Sequence, residues 1–399
     1  MIRTAKLPSP VAALRGAALL TALLMSSAWA ADASQPEAQL AKSLIALKEG
    51  RMDLALNEVD SVLKTNPNFR LAQLVKADLL LARAKPINSF GGGLSNAPRD
   101  RLEDLRAEAQ VRLQRYQEQL IASENVPHFL WQLEPQQSYA LVVDVSRSTL
   151  YVYANKNGEP RYVADFYVSI GKQGAEKSSE GDQRTPIGVY YVKDSLPASK
   201  LSDFYGDAAF PISYPNEWDR SHGRSGHGIW LHGTPKDTYS RPPNASNGCV
   251  VLANEDLSKL SKFLQIGKTP IVIVPKMEWS NDKDRAERDA LMSSIEKWRQ
   301  DWSSLDTDAY LTHYAPNFAS DDMKFSEWAR HKRQVNAAKA WIKVGISNLS
   351  AFPYPGNANM VVVNFDQDYT SNNLVNKMKK RQYWIKQGSR WQILYEGSA

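Results

Sequence analysis

The spacing of apolar residues changes character twice along this chain, and no single layer of secondary structure accommodates both changes. From Gln35 to about Gln119 apolar side chains recur at helical intervals, through Leu40, Leu44 and Leu47 and then Leu54, Val59, Val62 and Leu63. At Ser138 short β-rich runs take over, at 139–144, 149–153, 161–170 after the Asn157-Gly158 turn, 188–192 and 270–274. Past Pro275 the pattern is helical again over 285–305 and 324–340, and it closes on strands at 360–365, 380–386 and 391–396. Helices followed by strands define a separate α+β unit. The sequence therefore predicts a multidomain chain: a helical region over 31–127, a mainly-β domain over 138–276 and an α+β domain over 284–399. A length of 399 residues suits two or three packed units at roughly 100–200 residues each.

Residues 1–30 stand apart. Arg3, Lys6 and Arg15 precede an apolar run from Gly16 to Met25, and Ala28-Trp29-Ala30 offers small residues at the cleavage positions. The run is too short to span a bilayer, so a cleaved signal peptide is expected, with an uncleaved anchor as the alternative. No later segment is apolar enough for stable membrane insertion, which implies a protein soluble outside the cytoplasm. In the helical region, Gly50 separates two helices and Pro67 ends the second; the stretch between them resembles one tetratricopeptide-type hairpin, which alone would need to pack on later parts of the chain. Residues 99–120 come after the Gly91-Gly92-Gly93 turn and are so densely charged that a solvated helix face is expected.

The formal charge of +6 counts three basic residues of the leader, so half of it departs on cleavage. That excess gives no support to a nucleic-acid partner, although a modest positive balance suits an anionic cell-wall polymer. Cys249 is the only cysteine. One cysteine excludes an intramolecular disulfide framework and a cysteine-cluster metal site. A lone thiol kept in an oxidising compartment calls for a chemical reason.

Two segments supply one: Gly228-Ile229-Trp230-Leu231-His232-Gly233-Thr234, and Ser246-Asn247-Gly248-Cys249-Val250-Val251-Leu252. A thiol with a pKa of about 8.5 is only a few per cent thiolate at neutral pH, so a nucleophilic cysteine needs a base or a cation beside it. His232 ends an apolar run that reads as a buried strand, and is placed to be that base. The Ser-Asn-Gly turn bends the backbone sharply, and successive N–H groups of Asn247, Gly248 and Cys249 can converge on a tetrahedral oxyanion. A buried, inert thiol is the usual alternative for a free cysteine, and this turn argues against it. His222 and His227 lack a third ligand, so no metal site is expected; His128, His313 and His331 read as structural. The aromatic residues Trp298, Trp302, Tyr310, Tyr314, Trp328, Trp341, Tyr383, Trp384 and Trp391 either fill a core or line a pocket, and filling a core is the commoner use.

His-Gly-Thr at 232–234 followed by Ser-x-Gly-Cys-Val at 246–250 resembles the signature of the L,D-transpeptidase catalytic (YkuD-type) domain. Val168-Ser169-Ile170-Gly171 and the run from Arg184 through Thr185, Pro186 and Gly188 to Tyr190 resemble the same family's approach strands, so the resemblance covers about 138–276. Phe204-Tyr205-Gly206, Ala209-Phe210-Pro211, Tyr214-Pro215-Asn216 and Trp218-Asp219-Arg220 are similar to a proteobacterial branch. That branch includes periplasmic L,D-carboxypeptidases that shape curved and helical cells, and enzymes acting on lipoprotein–peptidoglycan links. The last hundred or so residues resemble an NTF2-like domain through 298–318 and 384–396.

The resemblance implies a mainly-β L,D-transpeptidase domain between a helical region and an α+β NTF2-like domain, working in the periplasm without metal or organic cofactor. Its substrate would be a peptidoglycan tetrapeptide stem. Cys249 would attack the carbonyl of the third residue, expelling D-alanine, with His232 as base, Gly248 and Cys249 as oxyanion donors, Asn247 at the oxyanion or turn, and Ser246 supporting the turn or His232. Gly233 and Trp230 would contact substrate. The helical and NTF2-like regions are open to wall-associated protein partners. Two departures bear on the reaction: many relatives have histidine where Asn247 stands and arginine where Val251 stands. An amine acceptor gives a transpeptidase and water an L,D-carboxypeptidase; a non-catalytic wall-binding scaffold is a third reading. A papain-like protease places its cysteine ahead of its histidine, the reverse of the order here.

Overall fold

The computed structural model describes residues 35–86, 89–92, 98–320 and 322–399. The expected signal peptide over 1–30, and Gly93, lie outside them.

Four helices open the described chain: α1 Gln35–Lys48, α2 Met52–Thr65, α3 Arg70–Ala82 and α4 Arg99–Glu124. Leu40, Leu44, Val59, Val62, Phe69, Leu71 and Val75 form their shared core, the stripe that the helical spacing marks out. The core is completed from a distance by Tyr239 and Ala253. Helix α4 departs from expectation, because part of its charged surface is interior. Glu108, Arg112 and Arg115 are buried, since α4 packs against α1 and against the strand Glu159–Tyr167. Each charge is paired: Arg112 bonds Glu37 of α1 and reaches Glu108 at 2.8 Å, while Arg115 bonds Asp165 and reaches Glu37 at 3.3 Å. Charge density alone cannot distinguish a solvated face from one whose partners come from elsewhere in the chain.

The β domain holds a five-stranded sheet in the order Glu159–Tyr167, Thr149–Lys156, Tyr139–Asp144, Pro270–Val274 and Gly188–Tyr191. Only the Tyr139–Asp144 and Pro270–Val274 pair is parallel. Successive side chains of a strand point to opposite faces, and here both faces are covered. Leu141, Val143, Ile271 and Ile273 pack against a second sheet that includes Leu231 and Val250. Ala140, Val142, Val272 and Val274 pack with Phe352, Tyr354, Val362 and Tyr383 from the C-terminal part of the chain. Burial on both sides explains why these strands read as unbroken apolar runs rather than as an alternation. The second sheet runs Val250–Val251, Trp230–His232, Ala208–Pro211, Leu196–Pro197.

The C-terminal unit packs helices Asp282–Ser303, Thr307–Leu311 and Phe325–Ala337 on a five-stranded sheet in the order Tyr314–Ser320, Arg390–Ser398, Leu374–Gln387, Met360–Ser371, Ile342–Pro353. Its long first helix starts at Asn281, whose side chain accepts from Asp284 N in a capping box. Trp298, Trp302, Tyr310, Tyr314, Trp328, Trp384 and Trp391 fill the core. Trp341 is exposed, and Tyr383 turns to the cluster shared with the β domain. That junction also carries polar ties, among them Arg381 to Glu217 at 2.9 Å and Asn364 Nδ2 to Tyr191 Oη at 2.8 Å.

The buried charges on α4 give a test of the helical packing. Arg112→Met leaves Glu108 facing a buried environment with Ser240 as its remaining side-chain partner. Removing one member of a buried charge cluster typically costs about 3–5 kcal/mol, so urea unfolding should show a loss of that order. A loss below about 1 kcal/mol, the size typical of a surface ion pair, would contradict the pairing described.

Candidate active site

Strand Trp230–His232 pairs in parallel with Val250–Val251, with Leu231 opposite Val250 and His232 opposite Val251. Leu231 and Val250 point into the core. By alternation His232 and Val251 project from the opposite face, together with Trp230 and, one step before the strand, Cys249. That face is walled by rings: Tyr205 lies 5.1 Å from His232 and 4.8 Å from Trp230, and Phe204 lies 6.0 Å from His232.

His232 Nδ1 is 2.7 Å from Gly233 O. A carbonyl only accepts, so the Nδ1 position carries the proton and Nε2 keeps its lone pair. Burial pushes the imidazole down to about 4, against hydrogen bonds to Gly233 and Tyr205 that oppose the shift. The ring is therefore neutral at pH 7 and able to accept a proton. A Cβ at Gly233 would overlap Asn254 Oδ1. The same oxygen accepts from Thr234 N at 3.2 Å and from Asp207 N at 3.2 Å. Gly233, expected as a substrate contact, thus orients the histidine through its own carbonyl.

Cys249 is half-buried and its Sγ donates to Gly228 O at 3.4 Å. Burial pushes the thiol up, while a hydrogen bond from the Trp230 backbone and the charges of Arg241 and Lys177 pull it down, leaving it above its ordinary value. Trp230, also expected to contact substrate, reaches the sulfur through its main chain. Among the described residues no hydrogen bond joins Sγ to His232. The two groups share one face in a neutral thiol and neutral imidazole state, and catalytic hydrogen bonds of this kind commonly close only when substrate is bound.

The turn before Cys249 is held from inside. Ser246 Oγ donates to Cys249 O at 2.6 Å and accepts from Gly248 N at 3.1 Å, and Thr185 Oγ1 donates to Gly248 O at 3.0 Å. Gly248 has φ +121, and a Cβ there would lie 2.7 Å from Arg184 O, so only glycine fits. The Gly248 N–H, expected at the oxyanion or in support of the turn, is bonded to Ser246 Oγ here. Ser246 is thus the keystone of the turn, and Asn247 is exposed. Val251 exchanges main-chain bonds of 2.9 Å with Ser169 and is buried.

Sequence reasoning missed Arg241 and the hold on the loop that carries it. Tyr239 stacks on Phe69 at 4.3 Å, Ser240 Oγ donates to Glu108 at 2.7 Å, Tyr167 Oη donates to Arg241 O at 2.8 Å and Ser169 Oγ to Pro242 O at 2.5 Å. The Pro-rich spacing between His232 and Cys249 was the available signal, but its partners lie 70 to 170 residues away and leave no local pattern. The remaining histidines sit elsewhere. His222 stacks on Trp218 at 4.0 Å, His227 is exposed near Glu180, His128 and His313 pair with Asp284 and Asp301, and His331 is exposed. Among the described residues no three His, Cys, Asp or Glu side chains are grouped to hold a metal ion, and no helix is long and apolar enough to cross a membrane.

Comparison with known proteins agrees with the motifs. Residues 138–273 match the L,D-transpeptidase catalytic domain, and residues 290–397 match the Cds6 C-terminal NTF2-like domain. Over 118 residues the chain is 29% identical to YafK of Escherichia coli strain K12, whose name provisionally assigns it as an L,D-transpeptidase; the match covers 29% of this chain and 43% of that one. Among solved structures, Bd1075 of Bdellovibrio bacteriovorus is similar with a TM-score of 0.60 and 28% identity, over 69% of this chain and 98% of that one. The helical cell shape determining protein Pgp2 of Campylobacter jejuni is similar with a TM-score of 0.59 and 27% identity, over 70% of this chain and 97% of that one. The chain therefore carries an L,D-transpeptidase catalytic domain followed by a Cds6-type NTF2-like domain.

The neutral histidine makes a pH prediction. Folding depresses the His232 pKa from 6.5 to about 4. Between these values the unfolded state binds more protons than the folded one, so stability from this group is complete above pH 6.5 and is lost as pH falls toward 4. An NMR titration should place the midpoint of the His232 ring near 4. A midpoint at or above 6.5 would rule out a burial-held neutral ring.

Proposed function

We propose, from the premise that residues 138–273 are an L,D-transpeptidase catalytic domain, that this protein is an exported, periplasmic cysteine acyl-transfer enzyme acting on peptidoglycan tetrapeptide stems. The observation that carries the reading is a half-buried thiol at Cys249 on the same strand face as a neutral His232 whose Nδ1 is fixed on Gly233 O at 2.7 Å. A packing role alone does not call for an imidazole anchored by its own chain on the strand face that also carries the thiol.

The reaction uses these groups in turn. The Cys249 thiol leaves Gly228 O, gives its proton to Nε2 of His232 and attacks the carbonyl carbon of the third stem residue. The backbone N–H groups of Asn247 and Cys249 are left to meet the oxyanion. The tetrahedral centre collapses by breaking the C–N bond, and Nε2 returns the proton to the departing nitrogen. D-Alanine leaves as a free amine, and the third residue remains as a thioester on Sγ.

An acceptor then releases the thioester. A side-chain amine of a second stem yields a crosslink between third residues. Water yields a tripeptide acid: it gives one proton to Nε2, its oxygen bonds the acyl carbon, and the departing sulfur recovers the proton. The likeness to a helical cell shape determining protein, spanning 97% of that chain, favours the second outcome, L,D-carboxypeptidase trimming, over crosslinking. A match over 70% of this chain extends beyond the catalytic domain at 138–273.

Purified protein incubated with disaccharide-tetrapeptide should release D-alanine and leave tripeptide, read by mass spectrometry, and Cys249→Ala should fall to the uncatalysed level. Crosslinked dimer without tripeptide would replace water by an amine as acceptor. If neither product formed and a carbapenem left no adduct on Cys249, the enzyme reading would give way to a wall-binding scaffold.

A further inference from the structure

Arg241 stands over Phe204, the ring that lies 6.0 Å from His232, and with Lys177 it is one of two cations whose charge reaches the Cys249 thiol. Lys177 is already engaged, with Nζ donating to Asp182 at 2.8 Å and to Ser179 O at 2.9 Å. Arg241 has no carboxylate partner among the described residues. Its guanidinium lies over the Phe204 ring at 4.5 Å and one Nη2 hydrogen goes to Phe204 O at 3.2 Å. Among the described residues the rest of its five-donor fork has no partner. Burial also lowers the Arg241 pKa, opposed only by Cys249, as for a cation partly stripped of water without a compensating anion.

This arginine is held in place. Its own carbonyl accepts from Tyr167 Oη, and its neighbours Tyr239 and Ser240 are tied to Phe69 and Glu108 of the helical region. An arginine kept beside a nucleophile and left without an anion is built to receive one with the substrate. A planar guanidinium pairs best with a carboxylate, which it can engage through two parallel hydrogen bonds. In a stem whose last amide is broken, the leaving residue carries its carboxylate one carbon from the scissile nitrogen, so that charge necessarily arrives close to the sulfur.

We propose that Arg241 reads the free α-carboxylate of the leaving residue, and so confines the site to stems that end one residue beyond the bond to be broken. A further residue would convert that carboxylate into a neutral amide and leave the guanidinium unpaired. The inference rests on the acyl-transfer reading above, and assigns to it a specificity-determining residue that no motif marks.

The test compares a tetrapeptide stem bearing a free C-terminal carboxylate with the same stem as its C-terminal carboxamide. The wild-type protein should favour the carboxylate by about 10- to 100-fold in kcat/KM, the range expected for a charge-assisted hydrogen bond. Arg241→Gln should bring that ratio close to one, and Arg241→Lys, which keeps the charge but not the fork, should retain an intermediate preference. Any effect of Arg241 on the thiol itself acts on both substrates alike and cancels in the ratio. Equal turnover of the two stems by wild-type protein would overturn the assignment while acyl transfer stood, as would a preference that survives in Arg241→Gln. Turnover of neither stem by wild-type protein would remove the acyl-transfer reading and this assignment with it.

Discussion

The five-stranded sheet of the β domain is the layer on which everything else is seated, because it is buried on both faces. Leu141, Val143, Ile271 and Ile273 support the sheet that carries His232, while Val142, Val272 and Val274 support Phe352, Tyr354 and Val362 of the C-terminal unit. At roughly 25 cal/mol per Å² of apolar surface, neither face can be uncovered cheaply. The site and the NTF2-like unit are consequently two sides of one slab, joined by polar ties such as Arg381–Glu217.

The chemistry of the site depends on desolvation more than on charge. Burial drives both partners toward their neutral forms, holding the His232 ring at about 4 and the Cys249 thiol above its ordinary value. A preformed thiolate–imidazolium pair is therefore not the resting state. A protonated thiol is also less reactive and less easily oxidised than a thiolate. Gly233 O and the Ser246–Gly248 turn supply geometry, not charge.

Much of this was legible in the sequence wherever the signal is local. The change from helical to strand spacing, the His-Gly-Thr and Ser-x-Gly-Cys-Val segments and the late helices-then-strands order each sit within a few tens of residues, and they identify the catalytic and NTF2-like domains. What stayed hidden depends on partners far along the chain. Helix α4 reads as solvated because its counter-ions, Glu37 and Asp165, belong to other elements. The bond from Gly248 N–H to Ser246 Oγ is likewise invisible in the order of residues. Arg241 carries no signature at all, since its meaning comes from the absence of an anion around it.

Tyr239 lies in the core of the helical region, although it belongs to the loop between His232 and Cys249. The boundary between the two regions is therefore drawn through the chain differently in space than in sequence. An excised fragment beginning at 138 would expose that tyrosine and leave the Ser240 hydroxyl without the Glu108 carboxylate it donates to, so that Tyr167 and Ser169 alone would hold the main chain at Arg241 and Pro242. The helices thus form one wall of the loop that carries Arg241, and the structural unit that encloses this loop starts at α1 and not at the motif-bearing strands.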